Sequence, residues 1–338
     1  MPKPLLEIWE SLKRQAERAD ADALERIARS YAMTYTRVES QQQALVDQIE
    51  LLQKQGAMTA QNVKRSRAYQ NLISTINDEL TDYSAYLRTE ITTEATESAK
   101  RGFSAGNVLM IGALALALGV EAKNVPKSAV KGDMTLDFLA KYLDPDGALF
   151  ARLNGLSAYH GAQIANGILE KVALGQNPMT IGKWITDSYG IGLTDSMRMM
   201  RTVQLYSYRQ SNSELQRANS DVLHGSVWCA ELDGLTCMSC VALHGQVFEA
   251  GAIADDHHNG RCAMLPWVKG EPNPIDQSGV DWFNQQSEAT QRSMMGNSKY
   301  EAWQEGKFNL DQLTSNYQDE VFGNMRGETP LHKLLGDD

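Results

Sequence analysis

The sequence predicts a mainly α protein: a long helical N-terminal region with a small α+β Cys/His module near the C-terminus. Three observations carry this expectation. Apolar residues recur at helical spacing through most of the first hundred positions. Strand-like segments appear only after residue 220. All four cysteines, Cys229, Cys237, Cys240 and Cys262, fall in one short stretch.

The N-terminal region, 1–120, reads as a helical arm or hairpin. Ile27, Tyr31, Val38, Leu45, Ile49 and Leu52 keep one face apolar, and Gly56 interrupts the run. Thr59 is placed to cap a second helix, whose stripe is Tyr69, Leu72, Ile73, Ile76, Leu80, Tyr83, Leu87 and Ile91. Residues 103–120 then carry no charge, and their densest part is shorter than the roughly 20 residues a bilayer-spanning helix needs. A buried helix is the expectation there, and stable membrane insertion is not.

Residues 121–134, with Pro126 and Gly132, read as a linker. A helical domain is expected over 135–220, with helices near 136–142, 158–174, 181–189 and 194–216. His160 reads as a core or surface histidine. The Cys/His module is expected over 221–300, with strands at 222–229 and 245–248 that can pair and a helical patch at 282–295. Residues 301–338 read as an acidic, frayed tail, since 271–338 hold five Lys or Arg against twelve Asp or Glu.

The net charge of −10 argues against coating nucleic acid by bulk attraction, although Lys64, Arg65 and Arg67 form a local basic patch. The first residues show no apolar core followed by a cleavage site, so synthesis in the cytoplasm is expected. Clustered cysteines in such a protein point to metal binding rather than a disulfide framework.

Cys237 and Cys240 form a C-x2-C knuckle, a spacing that lets two thiolates meet one tetrahedral ion from a tight turn. A second pair, His257 or His258 with Cys262, follows some seventeen residues later. The expected set is Cys237, Cys240, His257 and Cys262 around a structural Zn2+, with His258 as a substitute ligand. Cys229 and His244 are further substitutes. The competing reading is a module folded by Val227, Leu235, Val241, Leu243, Val247 and Phe248, with reduced thiols.

This stretch resembles the C-terminal signature of the phage Mu F-like head-morphogenesis proteins, the minor head proteins. That pattern is an Arg-Thr-rich helix, a Trp-containing strand, Asp-x-x-x-Cys-x-x-Cys, Leu-x-Gly, and a final His-Pro-x-Cys-Arg-Cys. Here Arg201-Thr202, Trp228, Asp233, Cys237, Cys240, Leu243, Gly245, His257, Arg261 and Cys262 match in order, followed by Leu265-Pro266. Val280-Asp281-Trp282-Phe283, Gln291 and Met295-Gly296-Asn297 are similar to the downstream family segment. The sequence departs from the pattern at His258 (usually proline), Gly260 (usually cysteine) and Val203 (usually glutamate). The similarity covers about residues 200–300.

The resemblance implies a non-enzymatic assembly part of a tailed bacteriophage. Its implied partners are the portal protein and the major capsid protein or scaffold, with possible contact to packaged DNA. Its implied location is the head interior or portal vicinity, reached from the host cytoplasm. The enzymatic alternative is a metal-dependent His-Asn-His-type nuclease using Asp255, His257 and His258. A cysteine nucleophile, Cys229 or Cys262 with His224 or His244, has no evident orienting residue. No catalytic residue is assigned, and no phosphate-cradling glycine loop is present.

Overall fold

The computed structural model describes residues 4–336. In chain order the helices are α1 (Pro4–Lys54), α2 (Ala60–Arg65), α3 (Arg67–Leu118), α4 (Ala148–Ala173) and α5 (Pro178–Ala218). The mixed region follows as β1 (Leu223–Cys229), α6 (Met238–Leu243), β2 (Val247–Phe248), β3 (Ala263–Val268), α7 (Gly279–Asn284), α8 (Glu288–Met295) and α9 (Asn297–Gln304). It ends with β4 (Thr314–Asp319), β5 (Gly323–Glu328) and α10 (Leu331–Leu335). The fold is therefore mainly α, with a small sheet and a Cys/His cluster toward the C-terminus, as the sequence predicts.

The chain divides into two compact units. One, all helical, comprises Ala19–Glu94 and Tyr142–Arg201. Here the apolar stripes of α1 and α3 are buried: Ile27, Tyr31, Val38, Leu45 and Ile49 on one, Leu72, Ile76, Leu80, Tyr83, Leu87 and Ile91 on the other. Arg26 pairs with Glu90 and Arg37 with Glu79. Partner numbers fall on α3 as they rise on α1, so the two segments run antiparallel. Gly56, at φ 65°, supplies the left-handed turn that ends α1. Thr59 caps α2 through its side chain, 3.2 Å from the Asn62 amide. Ser66 then breaks the helix and restarts it, its hydroxyl accepting from the Tyr69 amide at 3.2 Å.

Beside that stripe on α1, Tyr35 Oη lies 2.7 Å from Thr186 Oγ1, and the Gln42 amide donates to the Gly182 carbonyl at 2.8 Å. Both bind α5, which runs unbroken through Gly190 and Gly192 where the sequence suggests a boundary. Tyr31 donates to the Tyr189 carbonyl, and the Tyr31 ring meets Tyr83 edge-on at 4.8 Å and Tyr189 at 5.1 Å. These three tyrosines form an aromatic knot inside the helical unit.

The second unit comprises Met1–Arg18, Ala95–Lys141 and Thr202–Asp338, within the described residues. Its core joins Leu5 and Trp9 of α1, Leu109, Met110, Ala113 and Leu114 of α3, Tyr208 and Leu215 of α5, and Leu223, Val227 and Leu265 of the sheet. Residues 103–118 of the uncharged segment thus form the last third of α3, with one face in this core. Val108, Leu116 and Leu118 on its other face are exposed. Among the described residues α3 is the one helix long and apolar enough to cross a membrane, and half of its most apolar window is buried in the fold.

The sheet has the order β2-β1-β3, both pairings antiparallel. The expected pairing of 222–229 with 245–248 holds, with Val227 opposite Val247. β3 is an addition: Pro266, at the sheet edge, masks it in the sequence but is tolerated where no ladder amide is needed on the outer side. The 282–295 patch resolves into α7 and α8, each capped by a serine, Ser278 and Ser287. Of the residues read as a frayed tail, 301–336 are described and are folded. Phe308, Leu310 and Leu313 pack with Met238, Val241 and Phe283, and β4–β5 form an antiparallel hairpin. Leu235 and Val247, expected in the module core, are exposed instead.

Candidate metal centre

The centre is built from one tight turn and one loop. After β1 the chain turns at Asp233, whose Oδ1 accepts from the Leu235 amide (2.9 Å) and the Thr236 hydroxyl (3.0 Å). This delivers Cys237 to the start of α6, where its Sγ accepts from the Cys240 amide at 3.4 Å. Cys240 follows one helical turn later, so both sulfurs face the same side. The loop between β2 and β3 brings Asp256 and His257 against them, and Arg261 ties that loop back to the turn.

His257 Nε2 lies 3.1 Å from Cys237 Sγ and 3.7 Å from Cys240 Sγ. Its other ring nitrogen, Nδ1, is 2.9 Å from the His258 carbonyl. That carbonyl accepts the Nδ1 proton and turns Nε2 toward the sulfurs, the orientation a metal-binding imidazole takes. A second group overlaps the first: donor atoms of Cys240, Asp256 and Cys262, all buried, lie within 4.8 Å of one another.

Cys237 and His257 face each other as an ion pair. Hydrogen bonds from the Cys240 thiol and from His257 draw Cys237 down to about 5, and bonding to that thiolate pushes His257 up to about 9. The Cys240 thiol is held well above its ordinary range because it donates to Cys237. Burial raises Cys262, and raises Cys229 to about 12.

The donors fit a metal. Of the sulfur–nitrogen separations, 3.7 Å falls within the about 3.3–3.8 Å expected across a tetrahedral ion with bonds of about 2.0–2.3 Å, and 3.1 Å lies just below it. Two thiols and an imidazole suit a borderline-soft ion. The Cys/His/Asp cluster can therefore hold a metal ion.

The structure brings together Cys237, Cys240 and His257, with Cys262 adjoining through Cys240 and Asp256. His258, expected as a substitute ligand, faces away. Its Nε2 is 3.1 Å from Asp319 Oδ2 and its Nδ1 3.4 Å from Thr202 Oγ1, because β4 supplies a carboxylate on that side. His244 Nδ1 accepts the Ala230 amide at 2.9 Å, and burial lowers its affinity for a proton to about 4. Cys229 lies in the unit's main core, separate from the knuckle cluster. Asp255, one of the three residues of the nuclease reading, is bound by Arg326 (2.6 Å) and Asn324 (2.9 Å), so Asp255, His257 and His258 face three different sets of partners. His224 packs on Trp267, with ring centroids 4.1 Å apart.

Arg209 escaped sequence reading. From α5, buried, it donates to the Gly260 carbonyl (2.7 Å), the Cys262 carbonyl (2.8 Å) and Asp256 Oδ2 (3.3 Å). An arginine on a polar-looking helix gives no signal of burial, because its partners arrive from a loop some fifty residues later.

No protein-family model matches the chain, and neither a curated protein nor a solved structure matches it.

Proposed function

We propose that this chain is a minor head protein of a tailed bacteriophage, a non-enzymatic assembly part whose C-terminal module is closed by a structural zinc ion. The single observation behind this reading is how the residues of the family resemblance are used. Trp228, Asp233, Cys237, Cys240, His257, Arg261 and Cys262 converge in one module, where Asp233 pairs with Arg261, Cys237 with His257, and Cys240 and Cys262 with Asp256. Such a set braces a fold. A catalytic set would leave groups free to meet a substrate.

In this reading Cys237, Cys240 and His257 hold the ion, with a fourth donor from the buried side. When bound, the ion supplies cross-linking of α6 to the β2–β3 loop, and the resulting stability belongs to the module rather than to a reaction. The portal protein, and the major capsid protein or scaffold, are the proposed partners. Lys64, Arg65 and Arg67, all exposed on α2 and the start of α3, are the proposed points of contact with packaged DNA. The protein works in the head interior or near the portal after synthesis in the host cytoplasm.

Two measurements test this. Mass spectrometry of purified tailed-phage particles produced from a genome encoding this chain should find it at low copy in the head. Its consistent absence from particles would overturn the assembly role. Elemental analysis should find about one zinc per chain, lost in Cys237→Ser, while assayed nuclease activity stays at background.

A further inference from the structure

We propose that the fourth ligand of the ion is the carboxylate of Asp256, and not the thiol of Cys262. This rests on the metal reading above.

Asp256 Oδ1 lies 3.3 Å from Cys240 Sγ and 3.5 Å from His257 Nε2, and those two atoms are 3.7 Å apart. Three donors from three residues thus form a nearly equilateral triangle. Its edges are those of one face of a tetrahedron around an ion with bonds of about 2.0–2.3 Å. The other oxygen is already engaged. Oδ2 accepts from Arg209 Nη2 and from the Cys262 backbone amide, each at 3.3 Å. Oδ2 is anchored by a cation and an amide, while Oδ1 accepts the His257 amide at 2.9 Å and keeps its remaining lone pair toward the ligand atoms, which is how outer hydrogen bonds aim a ligating carboxylate.

Charge decides between the two candidates. With Asp256 as ligand, two thiolates and one carboxylate face a divalent ion and Arg209, and the buried group is neutral. With a Cys262 thiolate as ligand, three thiolates and Asp256 would face the ion and Arg209, leaving one net negative charge in a group whose carboxylate is almost wholly buried. Burying an uncompensated charge is strongly unfavourable. Cys262 has another role: its thiol packs in the cluster with Trp228 and Met264, and its amide positions Asp256.

The backbone is shaped around this carboxylate. A Cβ at Gly260 would fall 2.0 Å from Asp256 Oδ2 and 2.3 Å from its Cγ. Any side chain there would expel Asp256 from the position facing the donors.

The test is zinc K-edge X-ray absorption on the full chain loaded with one equivalent of zinc. Two sulfur and two nitrogen or oxygen scatterers are expected. Three sulfurs and one nitrogen would overturn the assignment while leaving a structural zinc in place. Failure to take up zinc at all would overturn both. Alongside it, Cys262→Ala should keep zinc affinity within about threefold, whereas Asp256→Asn should lose about tenfold or more. The wild-type spectrum needs no variant, so a misfolded Asp256→Asn chain leaves the decision intact.

Discussion

Asp233 and Arg261, one in the turn before the knuckle and the other in the loop that carries His257, meet in a two-point ion pair. Arg261 Nη1 is 2.7 Å from Asp233 Oδ2, and Nη2 is 2.6 Å from Oδ1. The pair bolts together the two chain segments that must meet for Cys237 and His257 to share a ligand.

Arg261→Lys keeps the charge but loses the fork geometry. It should lower the unfolding temperature of the module and cost about 1 kcal/mol, the upper range for a partly exposed pair. The Arg261 fork, more than anything else, holds the Asp233 carboxyl below its ordinary range. Its stabilising effect is therefore present above the unfolded-state value near 4 and is lost as pH falls through the lower folded value. A wild-type acid unfolding curve that coincides with that of Arg261→Lys would refute this.

Chelation of the metal-loaded chain should loosen residues 229–267 and spare the helical unit. Hydrogen exchange is the measurement: amides of α6 and the β2–β3 loop should lose protection, while those of Ala19–Glu94 keep theirs. Uniform protection before and after chelation would mean that the apolar residues hold the module without help.

Gly260→Ala tests the space reserved for Asp256. The added methyl collides with the carboxylate, so the variant should lose about 1–3 kcal/mol of module stability together with zinc affinity. Unchanged zinc affinity with an intact fold would show that the carboxylate's position is immaterial.

The tyrosine knot makes a prediction at the other end of the pH scale. Burial, above all, raises Tyr31 and Tyr83 beyond their ordinary range and pushes Tyr189 to about 12. A raised folded-state value means the stabilising effect is complete below the unfolded value near 10 and is lost as pH rises through the folded one. Helical signal from the unit should therefore fall in alkali in step with a late tyrosinate absorbance transition. Tyr189→Phe should remove part of that pH dependence. A single tyrosinate transition near 10, with helicity unaffected, would contradict the burial.

The helical framework was legible because burial on one side of a long helix writes a 3.6-residue period into the chain, as Ile27, Tyr31, Val38 and Leu45 do. The β4–β5 hairpin was not. Along Thr314–Asp319 no side chain is fully buried, and Met325 alone is buried on β5, so no alternation announces either strand. At the site, the Cys237–Cys240 knuckle was legible because its spacing is a local geometric fact. Gly260 stood out only as a thiol missing from the family pattern, whereas in the fold it is the opening that Asp256 fills. Nothing local says this. It depends on Arg209, whose partner Asp256 lies 47 residues further along the chain.

The hairpin also closes over the loop that bears His257. Arg326 donates its backbone amide to the Asp255 carbonyl and its guanidinium to the Asp255 carboxylate, both at 2.6 Å, from 71 residues downstream. A ribosome therefore releases the knuckle, and then the loop, long before it releases the strand that pins them. Cys237 and Cys240 emerge from the exit tunnel first, and the loop carrying Asp256 and His257 gains this further brace, beyond Arg209 and the Asp233–Arg261 pair, only when β5 has followed. A nascent chain stalled before residue 326 would present the loop without this latch.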